Sequence, residues 1–162
     1  MLGARGFCWQ LTFRVTPATH LELPAADGFT DKLWNSTCFE VFARGTGEAY
    51  RELNFAPMFG WAAYDFAGRR SGMRRVQPER VPHIVDMRVE SNRSDFPRYY
   101  ELYVTMPSSL VPESAVRASL SAVIEEQSGR KSYWALAHPD ADKPDFHHRD
   151  CFTLELPPLE AR

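Results

Sequence analysis

LWNSTCFEVFARGTGEAYRELNFAPMFGWAAYDF, residues Leu33 to Phe66, sets aromatic rings and polar side chains on alternating positions of what read as strands. Thr37 to Arg44 forms one such run and Tyr50 to Ala56 a second, separated by a Gly-Thr-Gly turn. Pro57 and Gly60 lead into a third, Gly60 to Ala67. Three neighbouring strands with short connections predict an antiparallel meander. A two-residue period puts Cys38, Glu40 and Phe42 on one side of the first strand and Thr37, Phe39, Val41 and Ala43 on the other. Tyr50, Glu52, Asn54 and Ala56 share a face of the second. A sheet built only for packing rarely includes Glu40, Glu52 and Asn54, so the stretch has the composition of a ligand-holding wall.

The same alternation extends outward. Phe7 to Val15 places Phe7, Trp9, Leu11, Phe13 and Val15 on one side, Ile84 to Glu90 reads as a half-buried strand, and Tyr99 to Met106 repeats the pattern. Glu113 to Gln127 satisfies both helical and strand spacing. The Ser-Gly-Arg hairpin signal at Ser128 to Arg130, leading into Tyr133 to Ala137, favours strand. Phe152 to Leu156 supplies a last strand. The arginine-rich segment from Arg69 to Arg80 has no apolar period and reads as an exposed loop. Seven to nine short strands without a convincing helix predict an all-β antiparallel sandwich.

A chain of 162 residues with 44% hydrophobic and 13% aromatic residues suits one globular domain, expected to span residues 1–162. Its formal charge of -2 gives no footprint for a phosphate backbone, so nucleic acid is not an expected partner. No run of 18 apolar residues suggests a membrane span. Cys8, Cys38 and Cys151 lie far apart without a CxxC pair and fit a reducing compartment. The first residues lack the apolar core and cleavage site of a signal peptide, so a cytoplasmic location is expected.

Four segments, LWNSTCFEVF (Leu33 to Phe42), YRELNFAP (Tyr50 to Pro57), WAAYDFAGRRSGM (Trp61 to Met73) and WALAHP with KPDFHH (Trp134 to His148), together resemble the bacterial DOMON-like proteins related to the family 9 carbohydrate-binding modules. The resemblance covers nearly the whole chain. It implies a jelly-roll-like antiparallel β-sandwich that holds a sugar or haem on a concave face and performs no chemistry on it. In the sugar-binding relatives a ring in front of the second wall strand stacks on the sugar, an acidic residue six positions later accepts from its hydroxyls, and polar residues on the next strand add hydrogen bonds. Trp34, Glu40, Glu52 and Asn54 match those positions. The match departs at Glu52, where the sugar binders favour a basic side chain. A second stacking ring is expected late in the chain, with Trp134 and Phe146 as the candidates.

The residues leave several chemistries open. Glu40 and Glu52 read as a structural network paired with Arg51 or Arg88, as acceptors for polyol hydroxyls, or as a carboxylate pair for glycoside hydrolysis, which needs separations of about 5 to 5.5 Å or about 6.5 to 9.5 Å. His138, Asp145 and His147 are weak metal-ligand candidates. Adjacent histidines on an extended chain diverge, and no HxH or HExxH spacing occurs, so a loop ordered by its own hydrogen bonds is the plainer reading. Haem ligation would call on Met58 or Met73 with His138 or His147, and methionine in an aromatic wall more often fills gaps. Cys38 and Cys151 read as small buried residues. The expectation is a non-catalytic module for a sugar-like small molecule, with no cofactor. The alternative is a module for protein interaction or self-association, including a homodimer, through the same face or an exposed sheet edge.

Overall fold

The computed structural model describes residues 8–16, 20–78, 80–91, 97–140 and 142–157, with backbone alone for 84–91 and 97–98. Its strands in chain order are β1 (Cys8–Val15), β2 (Gly28–Phe29), β3 (Cys38–Arg44), β4 (Tyr50–Phe55), β5 (Gly60–Phe66) and β6 (Arg74–Arg75). They continue with β7 (His83–Ser91), β8 (Pro97–Pro107), β9 (Arg117–Glu125), β10 (Lys131–Ala135) and β11 (Leu154–Glu155). The fold is an all-β sandwich. A smaller sheet has the order β1-β8-β7, and a larger one the order β10-β9-β3-β4-β5-β2, with β11 beside β9 and β6 beside β5. Among the described residues no helix is long and apolar enough to cross a membrane.

The meander expected from the opening stretch is present as β3-β4-β5, paired antiparallel throughout. The ambiguous Glu113 to Gln127 segment contributes strand β9, which turns at Gly129 into β10. Gly129 has φ 83°, the left-handed conformation that such a tight hairpin requires and glycine adopts without strain. Sequence reading missed β2 and β6, which are two residues long and carry no measurable period, whereas β11 falls within the expected last strand, Phe152 to Leu156. β6 falls inside the arginine-rich segment expected to be loop, where Arg74 and Arg75 pair with Asp65 and Tyr64.

Odd-numbered positions of the meander point between the sheets. Phe39, Val41, Leu53, Phe55 and Ala63 are at most 5% exposed and meet Leu102, Val104 and Met106 of β8. Trp9, Leu11, Phe13 and Val15 of β1 pack against this core from the edge, as their alternation implies. Gly60 begins β5 where β2 lies alongside; a Cβ there would come 2.5 Å from that of Ala26 in the chain leading into β2, so that close approach needs glycine.

Even-numbered positions face away from the smaller sheet, and they too are covered. Cys38, Phe42, Tyr50, Tyr64 and Phe66 form a second buried cluster with Phe146, Cys151 and Phe152 from the segment that follows β10. The larger sheet is therefore buried on both faces. Phe55→Ala removes a fully buried ring from the central strand and is expected to destabilise the protein by about 3 to 5 kcal/mol, read as a lowered denaturation midpoint at unchanged m-value. A loss within about 0.5 kcal/mol would place Phe55 outside the core.

Candidate functional site

Register builds the site. On β3 and β4, Glu40 stands opposite Asn54 and Phe42 opposite Glu52, so the two carboxyls lie on a diagonal rather than face to face. On the other side β9 sets Ser121 opposite Glu40 and Ser119 opposite Phe42. Glu40, Glu52, Asn54, Ser119 and Ser121 thus share the outer face of the larger sheet, all at most 4% exposed.

Their hydrogen bonds form a chain of donors aimed at the carboxyls. Ser121 Oγ donates to Glu40 Oε2 at 2.7 Å, Asn54 Nδ2 donates to Glu52 Oε1 at 2.8 Å, and the Cys38 thiol lies 3.5 Å from Asn54 Oδ1. Ser119 Oγ is buried without a hydrogen-bond partner. Arg51, expected as a counter-ion for one of these carboxyls, points to the opposite face, where it binds Asp65 through two nitrogens at 2.7 and 3.0 Å. Arg88 lies where side chains are not described. Burial drives the Glu40 carboxyl far above the usual range, the Glu52 charge reinforces it, and the Ser121 bond only partly opposes it. Burial raises Glu52 as well, against the Asn54 bond and the Arg70 charge.

The segment after β10 forms a roof. Its Asp145 accepts from Arg69 Nε at 2.8 Å and from Arg70 Nε at 3.1 Å, which ties the roof to the β5–β6 connection. Burial works to raise the Asp145 carboxyl, but the two guanidinium groups outweigh it and hold it below its ordinary value. His147 lies among the rings of Phe42, Tyr50 and Phe66. The Tyr50 hydroxyl accepts the Arg70 backbone N–H at 3.2 Å and shares a hydrogen bond of 2.6 Å with His147 Nδ1. His147 Nε2 lies 3.8 Å from Glu52 Oε2, too far for a hydrogen bond. Burial, aided by the Arg70 charge, lowers His147 to about 4. Burial also pushes the Tyr50 hydroxyl up to about 12.

The sequence-derived candidates are placed as follows. Trp34, in a 3-10 turn at Leu33–Asn35, is half-buried and meets the Tyr64 ring edge-on at 5.6 Å, at the β5 side of the polar face. Phe146 is buried in the roof, 6.3 Å from the Tyr133 ring. Trp134 does not join them. It pairs with Ala122 on the opposite side of β10 and is 64% exposed. Of the two late rings, Phe146 is the one on the polar face.

His138 is exposed while His147 and Asp145 are occupied as described, and among the described residues no group of three or more His, Cys, Asp or Glu side chains is arranged to hold an ion. Met58 and Met73 are each 53% exposed. Cys38 and Cys151 are buried free thiols, each raised by burial and so poor nucleophiles.

Among the described residues, cavities open on both sides of the larger sheet. One of about 640 Å³ opens between the sheets, lined by Phe13, Phe39, Leu120, Ile124 and Trp134, with Arg14, Arg130 and Lys131 at its rim. Each rim cation has a carboxylate: Glu101, Glu126 and Glu125 respectively. A smaller one of about 200 Å³ lies beside His147 and Tyr50 and is bounded by Arg44, Glu48, Arg69, His148, Arg149 and Phe152. Sequence reading passed over Arg44, although its parity with Glu40 and Phe42 already placed it on the polar face.

No protein-family model matches the sequence, and no curated protein matches it. Among solved structures, the chain is similar to a protein of Bacteroides uniformis ATCC 8492 named for a proposed carbohydrate-binding role. The TM-score is 0.60 and the identity 14%, over 91% of this chain and 72% of that one. The likeness establishes the sandwich fold.

The buried groups give stability a pH dependence with two limbs. Glu40 and Glu52 have folded values above their unfolded ones, so their contribution is full at low pH and is lost as pH rises out of the ordinary carboxylate range. His147 has a lowered folded value, so its contribution is present above about 6.5 and is lost as pH falls toward about 4. Urea midpoints measured across this range are expected to fall on the alkaline side, and Glu40→Gln is expected to flatten that limb. An alkaline limb unchanged by the substitution would contradict the burial of Glu40.

Proposed function

We propose that the chain is a single-domain, non-catalytic module that holds a small carbohydrate or cell-wall sugar derivative on the outer face of its larger sheet. The observation that carries this reading is the gathering of Glu40, Glu52, Asn54, Ser121 and the unpartnered Ser119 hydroxyl on one sheet face, beside aromatic rings and an open cavity. Trp34 stacks on the apolar side of the sugar ring, Glu40, Glu52 and Asn54 take its hydroxyls, and Phe146 covers it from the roof. Entry to the buried carboxyls requires His147 and its neighbours to swing away, releasing the Tyr50 bond and the Asp145 ties. The sandwich likeness to a protein named for a proposed carbohydrate-binding role agrees with this reading. Binding is favoured over hydrolysis because each carboxyl is 3% exposed and engaged by its own donor, rather than poised across an open gap.

A second reading, self-association, is favoured by a different observation. Strand β10 is an outer edge of the larger sheet; Tyr133 and Trp134 on it are 46% and 64% exposed, and Leu136 just beyond its end is 49% exposed.

Calorimetric titration with a panel of mono- and disaccharides tests the first reading. The wild type is expected to bind at least one sugar at millimolar concentration, and Trp34→Ala to bind it about tenfold more weakly. No binding by the wild type would remove the carbohydrate reading. A concentration-dependent mass in sedimentation that Trp134→Ala abolishes would then favour self-association.

A further inference from the structure

The smaller cavity differs from the larger one in its charge. Arg44 is 8% exposed, yet among the described residues it has no carboxylate partner. Its Nε and Nη2 donate to the carbonyls of Gly45 and Gly47 at 3.2 and 3.0 Å, and its guanidinium lies 5.5 Å from the centre of the Phe152 ring. Neutral carbonyls and a ring face satisfy some of its donors and leave its charge uncompensated, which is costly for a cation so deeply buried. Arg149, exposed on the same cavity, also has no carboxylate partner among the described residues. Arg69 completes the wall with its charge shared onto Asp145, a carboxylate that already serves Arg70. Negative groups are present as well: Glu48 lines the cavity and Asp150 stands 3.8 Å from His148. Among the described residues the cavity wall carries three guanidinium groups, of Arg44, Arg69 and Arg149, and one carboxylate, of Glu48, and the most buried of the three cations is Arg44.

His148 adds a directed donor. Its Nδ1 accepts the Asp150 backbone N–H at 3.3 Å, which leaves the proton on Nε2. The volume of about 200 Å³ falls below the range of about 300 to 1,000 Å³ typical of pockets that enclose a whole drug-sized ligand, and suits a single charged group.

We propose that this cavity is an oxyanion pocket that binds a phosphate group through Arg44, Arg149 and His148. Guanidinium forks match the oxygen spacing of phosphate, and the anion supplies the countercharge that the protein withholds from Arg44. The phosphate is either the free inorganic ion or the ester group of a larger molecule such as a sugar phosphate. The proposal goes beyond the carbohydrate reading and does not need it.

Calorimetry at low and raised sodium chloride, with inorganic phosphate, glucose 6-phosphate and glucose as separate titrants, tests it. The wild type is expected to bind at least one of the two phosphates, more weakly at raised salt. Arg149→Ala, at an exposed position, is expected to weaken that binding about tenfold, as loss of a charge-assisted hydrogen bond implies. Arg44→Gln is expected to abolish it, while Arg130→Ala, on the larger cavity and paired with Glu126, leaves it unchanged. Binding of inorganic phosphate means that the free ion suffices; binding of glucose 6-phosphate alone means that the group is taken as an ester. Failure of both phosphates to bind, or binding unaffected by Arg149→Ala and Arg44→Gln, overturns the proposal. Equal binding of glucose and glucose 6-phosphate would overturn it as well while supporting the carbohydrate reading. Should Arg44→Gln fail to fold, Arg149→Ala decides.

Discussion

Two carboxyl groups, Glu40 and Glu52, are buried on one face of a sheet with no guanidinium or ammonium group bonded to either among the described residues. That arrangement constrains everything around it. A buried carboxylate with neutral donors alone costs several kcal/mol relative to water, so the groups must be held protonated or handed further donors. Ser121 and Asn54 meet part of that need, and β3, β4 and β9 must keep their register for them to do so, because a one-residue slip would turn every polar side chain into the apolar core. The roof then excludes water. Without Phe146, His147 and Phe152 over it, the same face would be a wet groove, and the carboxyls would titrate as ordinary surface groups.

Positive charge on this side of the molecule is kept at the border of the face. Arg69 and Arg70 hold the roof through Asp145 and depress His147 by their proximity, while Arg44 at the cavity wall has no carboxylate partner among the described residues. Arg44, at the end of β3, lies on the same face and opposite Tyr50. The layout has a buried, nearly neutral polar floor and a cationic entrance, with His147 and Tyr50 between them.

The fold was legible because β1, β3, β4, β5, β8 and β9 each alternate over five or more residues, and the signal accumulates with length. The two-residue strands β2 and β6 exist through pairing partners supplied by the tertiary structure, which no local pattern reports. At the site, parity alone placed Glu40, Glu52 and Asn54 together, and it would have added Arg44, Ser119 and Ser121 had it been applied to the ends of the strands. What sequence could not supply was the roof. Asp145, Phe146 and His147 lie in a segment without period, and their partners Arg69, Arg70 and Tyr50 are more than 70 residues away. Trp134 misled for a related reason: an aromatic residue on an edge strand faces either way until the register is known, and the register turns it toward the space between the sheets.

The most direct test of this account is a carbon-13 NMR titration of the side-chain carboxyls of Glu40 and Glu52 in the folded protein. The account requires both to titrate above the ordinary carboxylate range, each sensing the other. Two independent titrations near the usual glutamate value of about 4.3 would contradict it and make the face a solvated surface.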